Sequence, residues 1–204
     1  MCSNNSYFSR LARLFFGLLL FGFGLALIVL GGFGVAPWEV LHQGLSKNTT
    51  LSMGTAIICI GAGLVLVLFL LKEPMGIGTV ANVLIIGLVV DATLGINDEV
   101  TNTAVRVICT LFGPIVVALG SGFYIGSRLG PGPRDGLMTA LDRRGIAIWK
   151  ARTLVEGSAL VVGLILGGTI GWGTVWFLVS IGPSVQFFLR LLDVSPPKVS
   201  NKNT

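Results

Sequence analysis

Residues 14–38, 48–71, 74–90, 107–127 and 157–189 are five long runs without a charged side chain. A bilayer core of about 30 Å takes about 20 apolar residues in a helix, the conformation that satisfies its own backbone where no water is present. The first four runs each suit one crossing. The fifth has 33 residues, too many for one helix and too few for two. Gly167, Gly168, Gly171 and Gly173 interrupt it, which predicts two helices meeting at a tight glycine turn. The fifth helix then extends back over Glu156 and Arg152, placing ionisable groups inside the membrane. Six crossings are expected.

Composition removes the other classes. With 53% hydrophobic and 11% charged residues, and a mean hydropathy of +0.88, the chain is neither a water-soluble globule nor a disordered polymer. Charge position then predicts orientation. With the N-terminus inside, twelve of the 14 Lys and Arg residues fall on the cytoplasmic side and only Lys47 and Arg106 fall outside. Both termini are expected in the cytoplasm, with 194–204 as a tail. Arg10 and Arg13 ahead of an apolar run imitate a secretory signal, but no small-x-small cleavage site follows, so the first helix is expected to remain. Cys59 and Cys109 fall within crossings and Cys2 lies on the reducing side, so no disulfide framework is expected.

The chain partly matches itself at an offset of 96 residues. Arg10 meets Arg106, Phe16-Gly17 meets Phe112-Gly113, and Gly24 meets Gly120. Gly34, Pro37, Glu39, Leu41 and Leu45 meet Gly130, Pro133, Asp135, Leu137 and Leu141. At an offset of 95, Gly76-Ile77-Gly78-Thr79-Val80 meets Gly171-Trp172-Gly173-Thr174-Val175. The series predicts one membrane domain, 1–204, built from repeats at about 10–97 and 106–193. Three crossings per repeat is an odd number, so the second repeat enters from the opposite side. Inverted repeats place transporter sites near the midplane, at the repeat interface.

Each repeat carries a glycine run, then a proline, then an acid two residues later: Gly34, Pro37 and Glu39 in the first, Gly132, Pro133 and Asp135 in the second. Proline favours the first helical position, and an acid in the first turn suits the positive end of the helix dipole. Short helices are therefore expected after the first and fourth crossings. They either re-enter the membrane with their N-termini facing a shared cavity, or lie flat at the interface with Trp38 in an aromatic belt. The run 130–136 lacks the Lys-Ser/Thr of a phosphate-binding loop. Glu156 and Arg152, four residues apart on one helical face, make either a structural ion pair or part of a solute path. Arg134, Asn82, Asp91 and its counterpart Gln186 are further candidates for that path, Asp91 also reading as an interfacial cap. His42, the only histidine, reads as a loop or cap residue or as a proton-linked group. Pro183 is expected to kink the sixth crossing. No His/Cys cluster and no nucleophile motif is present, so no metal, cofactor or enzymatic activity is expected. The basic residues form a fringe toward anionic lipid rather than a nucleic-acid surface.

Pro37-Trp38-Glu39-Val40-Leu41-His42-Gln43-Gly44-Leu45, Gly76-Ile77-Gly78-Thr79 with Asn82, and Gly130-Pro131-Gly132-Pro133-Arg134-Asp135-Gly136-Leu137-Met138 resemble the bacterial YczE-type membrane proteins, grouped with YyaS and YitT. The likeness continues through Arg152, Glu156 and 171–174. It implies a protein of the bacterial inner membrane and supplies no substrate. The function expected is transport or channelling of an unknown small solute or ion. The alternatives are an accessory membrane protein acting through a partner or a second copy, and the substrate-binding subunit of an energised importer.

Overall fold

The computed structural model describes residues 7–96 and 100–192. Eight helices make up these segments: α1 (Tyr7–Gly31), α2 (Pro37–Asn48), α3 (Met53–Leu70), α4 (Ile77–Ile96), α5 (Thr103–Gly126), α6 (Pro133–Arg143), α7 (Ile148–Ile165) and α8 (Trp172–Leu191). Their boundaries follow local chemistry. Ser52 caps α3 by accepting from Thr55 N, and Asn102 caps α5 by accepting from Ala104 N and Val105 N. Pro37 and Pro133 open the two short helices. α1 stops at Gly31, before its uncharged run ends, because Gly32 (φ +68°) and Gly34 (φ +105°) turn the chain.

Helices α5, α6, α7 and α8 begin 96, 96, 95 and 95 residues after α1, α2, α3 and α4. The same contacts also occur twice. Arg10 Nε donates to Ser127 O (2.8 Å) and Nη2 to Arg128 O (2.7 Å). At the equivalent positions Arg106 Nε donates to Gly31 O (3.0 Å) and Nη2 to Gly32 O (3.5 Å). Thr79 Oγ1 donates to Pro131 O (2.7 Å) and Thr174 Oγ1 to Val35 O (2.8 Å). Gly78 N donates to Leu129 O and Gly173 N to Phe33 O, both at 2.9 Å. Each half thus grips the glycine turn of the other.

The helices sort into two groups. α1 and α5 cross backbone to backbone: a methyl on Gly17 would lie 2.8 Å from Gly120 O, and one on Gly120 would lie 2.6 Å from Gly17 O. α4 packs on α1 and α8 on α5. The second group is α2, α3, α6 and α7, in which α2 lies close along α7 through Gly44 and Gly163. Between the groups, α3 runs along α4. A methyl on Gly87 would lie 2.6 Å from Gly54 O, and Asp91 closes the same end by accepting from Ser52 Oγ and from Gly54 N (2.7 Å). α7 and α8, the equivalents of α3 and α4, stand apart. Trp149 replaces Gly54 and is 65% exposed, and Gly182, the equivalent of Gly87, has no atom within 4 Å of where a side chain would begin.

Phe69, Leu70, Ile96, Val161, Ile165 and Val179 are among many exposed large apolar side chains, a surface suited to lipid and not to water. Five helices, α1, α3, α4, α5 and α8, are long and apolar enough to cross a bilayer, and the protein is an all-α membrane protein. α7 equals α3 in length but carries Lys150, Arg152 and Glu156. The expected turn between it and α8 is present at 166–171, and Pro183 lies within α8. The tail at 194–204 lies outside the described residues, as does Cys2; Cys59 and Cys109 are free thiols.

Candidate functional site

Between the two groups lies a cavity of about 690 Å³ to which all eight helices contribute. Its wall is mostly apolar, with Phe21, Ile57, Val83, Val117, Met138 and Phe177 among its side chains. Polar groups enter from the two short helices and from α4, α5 and α7. Ala36 precedes α2 and Gly132 precedes α6, in nearly the same extended conformation (φ −66°, ψ 159° and φ −61°, ψ 155°). Neither helix has a side-chain N-cap, and the first turns of both face the cavity. The first-turn acids, Glu39 and Asp135, therefore sit at corresponding positions of one chamber.

Their surroundings differ. Glu39 is 1% exposed and its Oε1 lies 3.1 Å from Arg134 Nη2, which crosses from the other half. The Arg134 guanidinium also lies over the Trp38 ring, 4.8 Å from its centroid, so this cation is held by a carboxylate and an aromatic face together. His42 Nδ1 is 3.8 Å from the same Glu39 oxygen. His42 Nδ1 and Trp38 Nε1 are buried and have no hydrogen-bond partner among the described residues. Polar atoms left so are costly in a packed interior, and this marks the α2 side of the cavity wall as unfinished by the protein's own groups.

Asp135 has no such cation within ion-pair distance among the described residues. Its Oδ2 receives a long hydrogen bond from the Tyr124 hydroxyl (3.5 Å), and that hydroxyl accepts from Gly132 N. A side chain on Gly132 would start 3.0 Å from Tyr124 Oη and 3.6 Å from both Asn82 Nδ2 and Asp135 Oδ2. The bare glycine therefore keeps open a nook where phenol, amide and carboxylate meet. On α7, Arg152 Nε and Glu156 Oε1 pair at 3.0 Å at the cavity edge, with side chains 64% and 28% exposed.

Of the residues proposed for a solute path, Pro37, Glu39, His42, Asn82, Gly132, Pro133, Arg134, Asp135, Arg152 and Glu156 all line this cavity. Three do not. Gly34 packs against the α8 N-terminus, where a methyl would lie 2.4 Å from Gly171 N. Asp91 binds the start of α3, as a cap of a neighbouring helix rather than of its own. Gln186 is exposed on α8. His42 belongs to a helix and is 1% exposed, which corrects its reading as a loop or cap residue. Trp38, 8% exposed, lies under Arg134 and not in an interfacial belt. Tyr124 is a wall residue that sequence reasoning missed; a lone hydroxyl at the position equivalent to Ile28 was its only signal.

Comparison with known proteins agrees with a membrane protein of this type. An uncharacterized protein of Haemophilus influenzae is 38% identical over 93% of this chain and 87% of its own length. The uncharacterized membrane protein YczE of Bacillus subtilis is 31% identical over 86% of this chain and 83% of its own, and the uncharacterized protein YyaS of the same organism is 28% identical over 87% and 90%. No solved structure matches. From residue 8 to residue 190 the chain matches the family of unknown function DUF6198, and it belongs to that family.

Proposed function

We propose that the protein carries a small polar or charged solute across the bacterial inner membrane by alternating access of the cavity. The observation that carries this reading is that the cavity lies between two helix groups joined along α3–α4 and separated at the equivalent place, α7–α8. On this reading α7 also crosses, fifth in chain order and bringing the total to six, its Arg152 and Glu156 facing the cavity. The halves are inverted three-crossing repeats, and α2 and α6 are re-entrant half-helices. With both termini in the cytoplasm, the Gly54–Gly87–Asp91 contact closes the outer side and the α7–α8 gap opens the inner side. Exchanging the two seams, closed for open, moves the cavity from one side to the other around the same polar groups. Inverted repeats give the closed seam a counterpart that closes as it opens, with Trp149 in place of Gly54 setting the two states apart in energy.

The test is a disulfide that the described state does not form. Trp149→Cys with Gly182→Cys, in a background lacking the native cysteines, places thiols at the equivalents of Gly54 and Gly87. Mild oxidation in membranes is expected to link them, since the second seam must close during the cycle. Failure of this pair to link, while an exposed control pair on the same protein does, would remove the exchange.

A further inference from the structure

The two first-turn acids have unequal fates, and the difference points to a ligand. Resting on the transport reading, we infer that Asp135, Asn82 and Tyr124 form a binding subsite for a singly charged cation in the nook above Gly132. Two arginines and three carboxylates line the cavity. Arg134 is held by Glu39 and Arg152 by Glu156, so one negative charge, that of Asp135, is left without a cation in contact. Asp135 is exposed although its residue lines an interior chamber, so its carboxylate opens onto the cavity. A chamber whose lining carries a net charge of −1 is completed by one positive charge.

The neighbours fit that charge. The Tyr124 oxygen and the Asn82 amide, whose oxygen and nitrogen exchange by a simple flip, supply neutral oxygens beside the carboxylate. One carboxylate with neutral oxygens matches a monovalent cation. A divalent ion asks for more charge and more ligands, and no group of three metal-ligating side chains occurs among the described residues. The other half of the molecule lacks the site: Ala36, Ile28 and Phe177 stand where Gly132, Tyr124 and Asn82 stand here, and Glu39 is already neutralised. The cation chemistry has two sources, a free sodium ion that couples transport or the ammonium group of the solute itself.

The experiment follows thermal unfolding of the purified full chain in choline chloride at constant ionic strength, titrated with sodium chloride in one arm and methylammonium chloride in the other. A saturable rise in Tm is expected in at least one arm. Sodium alone identifies a coupling ion, and methylammonium alone identifies a solute amine. Asp135→Asn is expected to weaken the apparent affinity at least tenfold. Gly132→Ala is expected to do the same while keeping every charge, because its methyl would fill the nook. Ala36, in the same backbone conformation, shows that alanine suits this position. No saturable shift in either arm, or a shift that both variants retain, would overturn the subsite. The cysteine pair at Trp149 and Gly182 reports independently on alternation, so each idea fails without the other.

Discussion

Placing the same substitution at equivalent positions of the two seams gives the sharpest test of their difference. A methyl added at Gly87 would sit 2.5 Å from Ile58 Cγ1 and 2.6 Å from Gly54 O. Ile58 can turn aside, but Gly54 O is backbone, so α3 itself must move by most of an ångström. Overpacking of this kind costs about 1–3 kcal/mol, and a rigid backbone neighbour puts Gly87→Ala near the upper end. Alanine returns about 1 kcal/mol in helix propensity, leaving a net loss of about 2 kcal/mol. At Gly182, the equivalent position, nothing lies within 4 Å, so only the propensity gain remains. The variants should therefore differ by about 3 kcal/mol. For a chain of this size about 2–4 °C of Tm accompanies each kcal/mol, which places Gly87→Ala about 6–12 °C below Gly182→Ala. Tryptophan fluorescence during heating of the purified protein reads the difference. Opening of the strained seam also favours the opposite state, so Gly87→Ala should raise the yield of the disulfide between cysteines at 149 and 182. Equal melting of the two alanine variants, within about 2 °C, would show both seams equally packed and end the argument.

Glu39→Gln leaves the Arg134 guanidinium beside a neutral partner, and should cost about 3 kcal/mol in thermal or chemical denaturation, the low end for a buried pair because Arg134 retains 27% side-chain exposure. Adding Arg134→Met to that variant should recover most of the loss. Glu156→Gln breaks a pair that is largely exposed, so its stability should fall by no more than about 0.5 kcal/mol. Ligand-dependent stabilisation, screened with ions, amino acids, vitamins and small anions, should be lost in the same variant; a destabilised protein with undiminished ligand response would make the pair purely structural.

What the sequence made legible was whatever depends on near neighbours. Charge-free runs located the helices, Pro37 and Pro133 marked the starts of the short ones, and the spacing of Arg152 and Glu156 foretold their ion pair. The offset of 96 residues, falling to 95, carried over to the starts of all eight helices. What stayed hidden depends on which distant segments meet. Trp38 looks like a belt residue until Arg134, 96 positions on, is seen lying over it. Asp91 looks like the end of its own helix, but its partners belong to α3, more than 35 residues earlier. Burial of His42 is set by the distant helices packed on α2; α2 is amphipathic, but its own pattern does not say which segments cover that face.

The scaffold repeats, whereas the chemistry on it does not. Arg10 and Arg106, Thr79 and Thr174, and Gly78 and Gly173 make equivalent hydrogen bonds, so the glycine turns and helix starts are built twice. Around the cavity, by contrast, Trp38 faces Arg134 as its equivalent, His42 faces Met138, Ile28 faces Tyr124, Ile57 faces Arg152, Gly61 faces Glu156 and Asn82 faces Phe177. Among the titratable groups only the acids at 39 and 135 keep their type. Strict twofold symmetry would offer a solute every group in duplicate, and would set like charges opposite one another in a space where water screens them poorly. Departures from the repeat let one half cancel its acid with Arg134 and leave the other acid open. The same logic applies to the seams. Two identical glycine contacts would hold both sides equally, whereas Trp149 in place of Gly54 leaves α7 and α8 apart; on the transport reading this asymmetry biases the chain toward the arrangement with the cavity reached between α7 and α8.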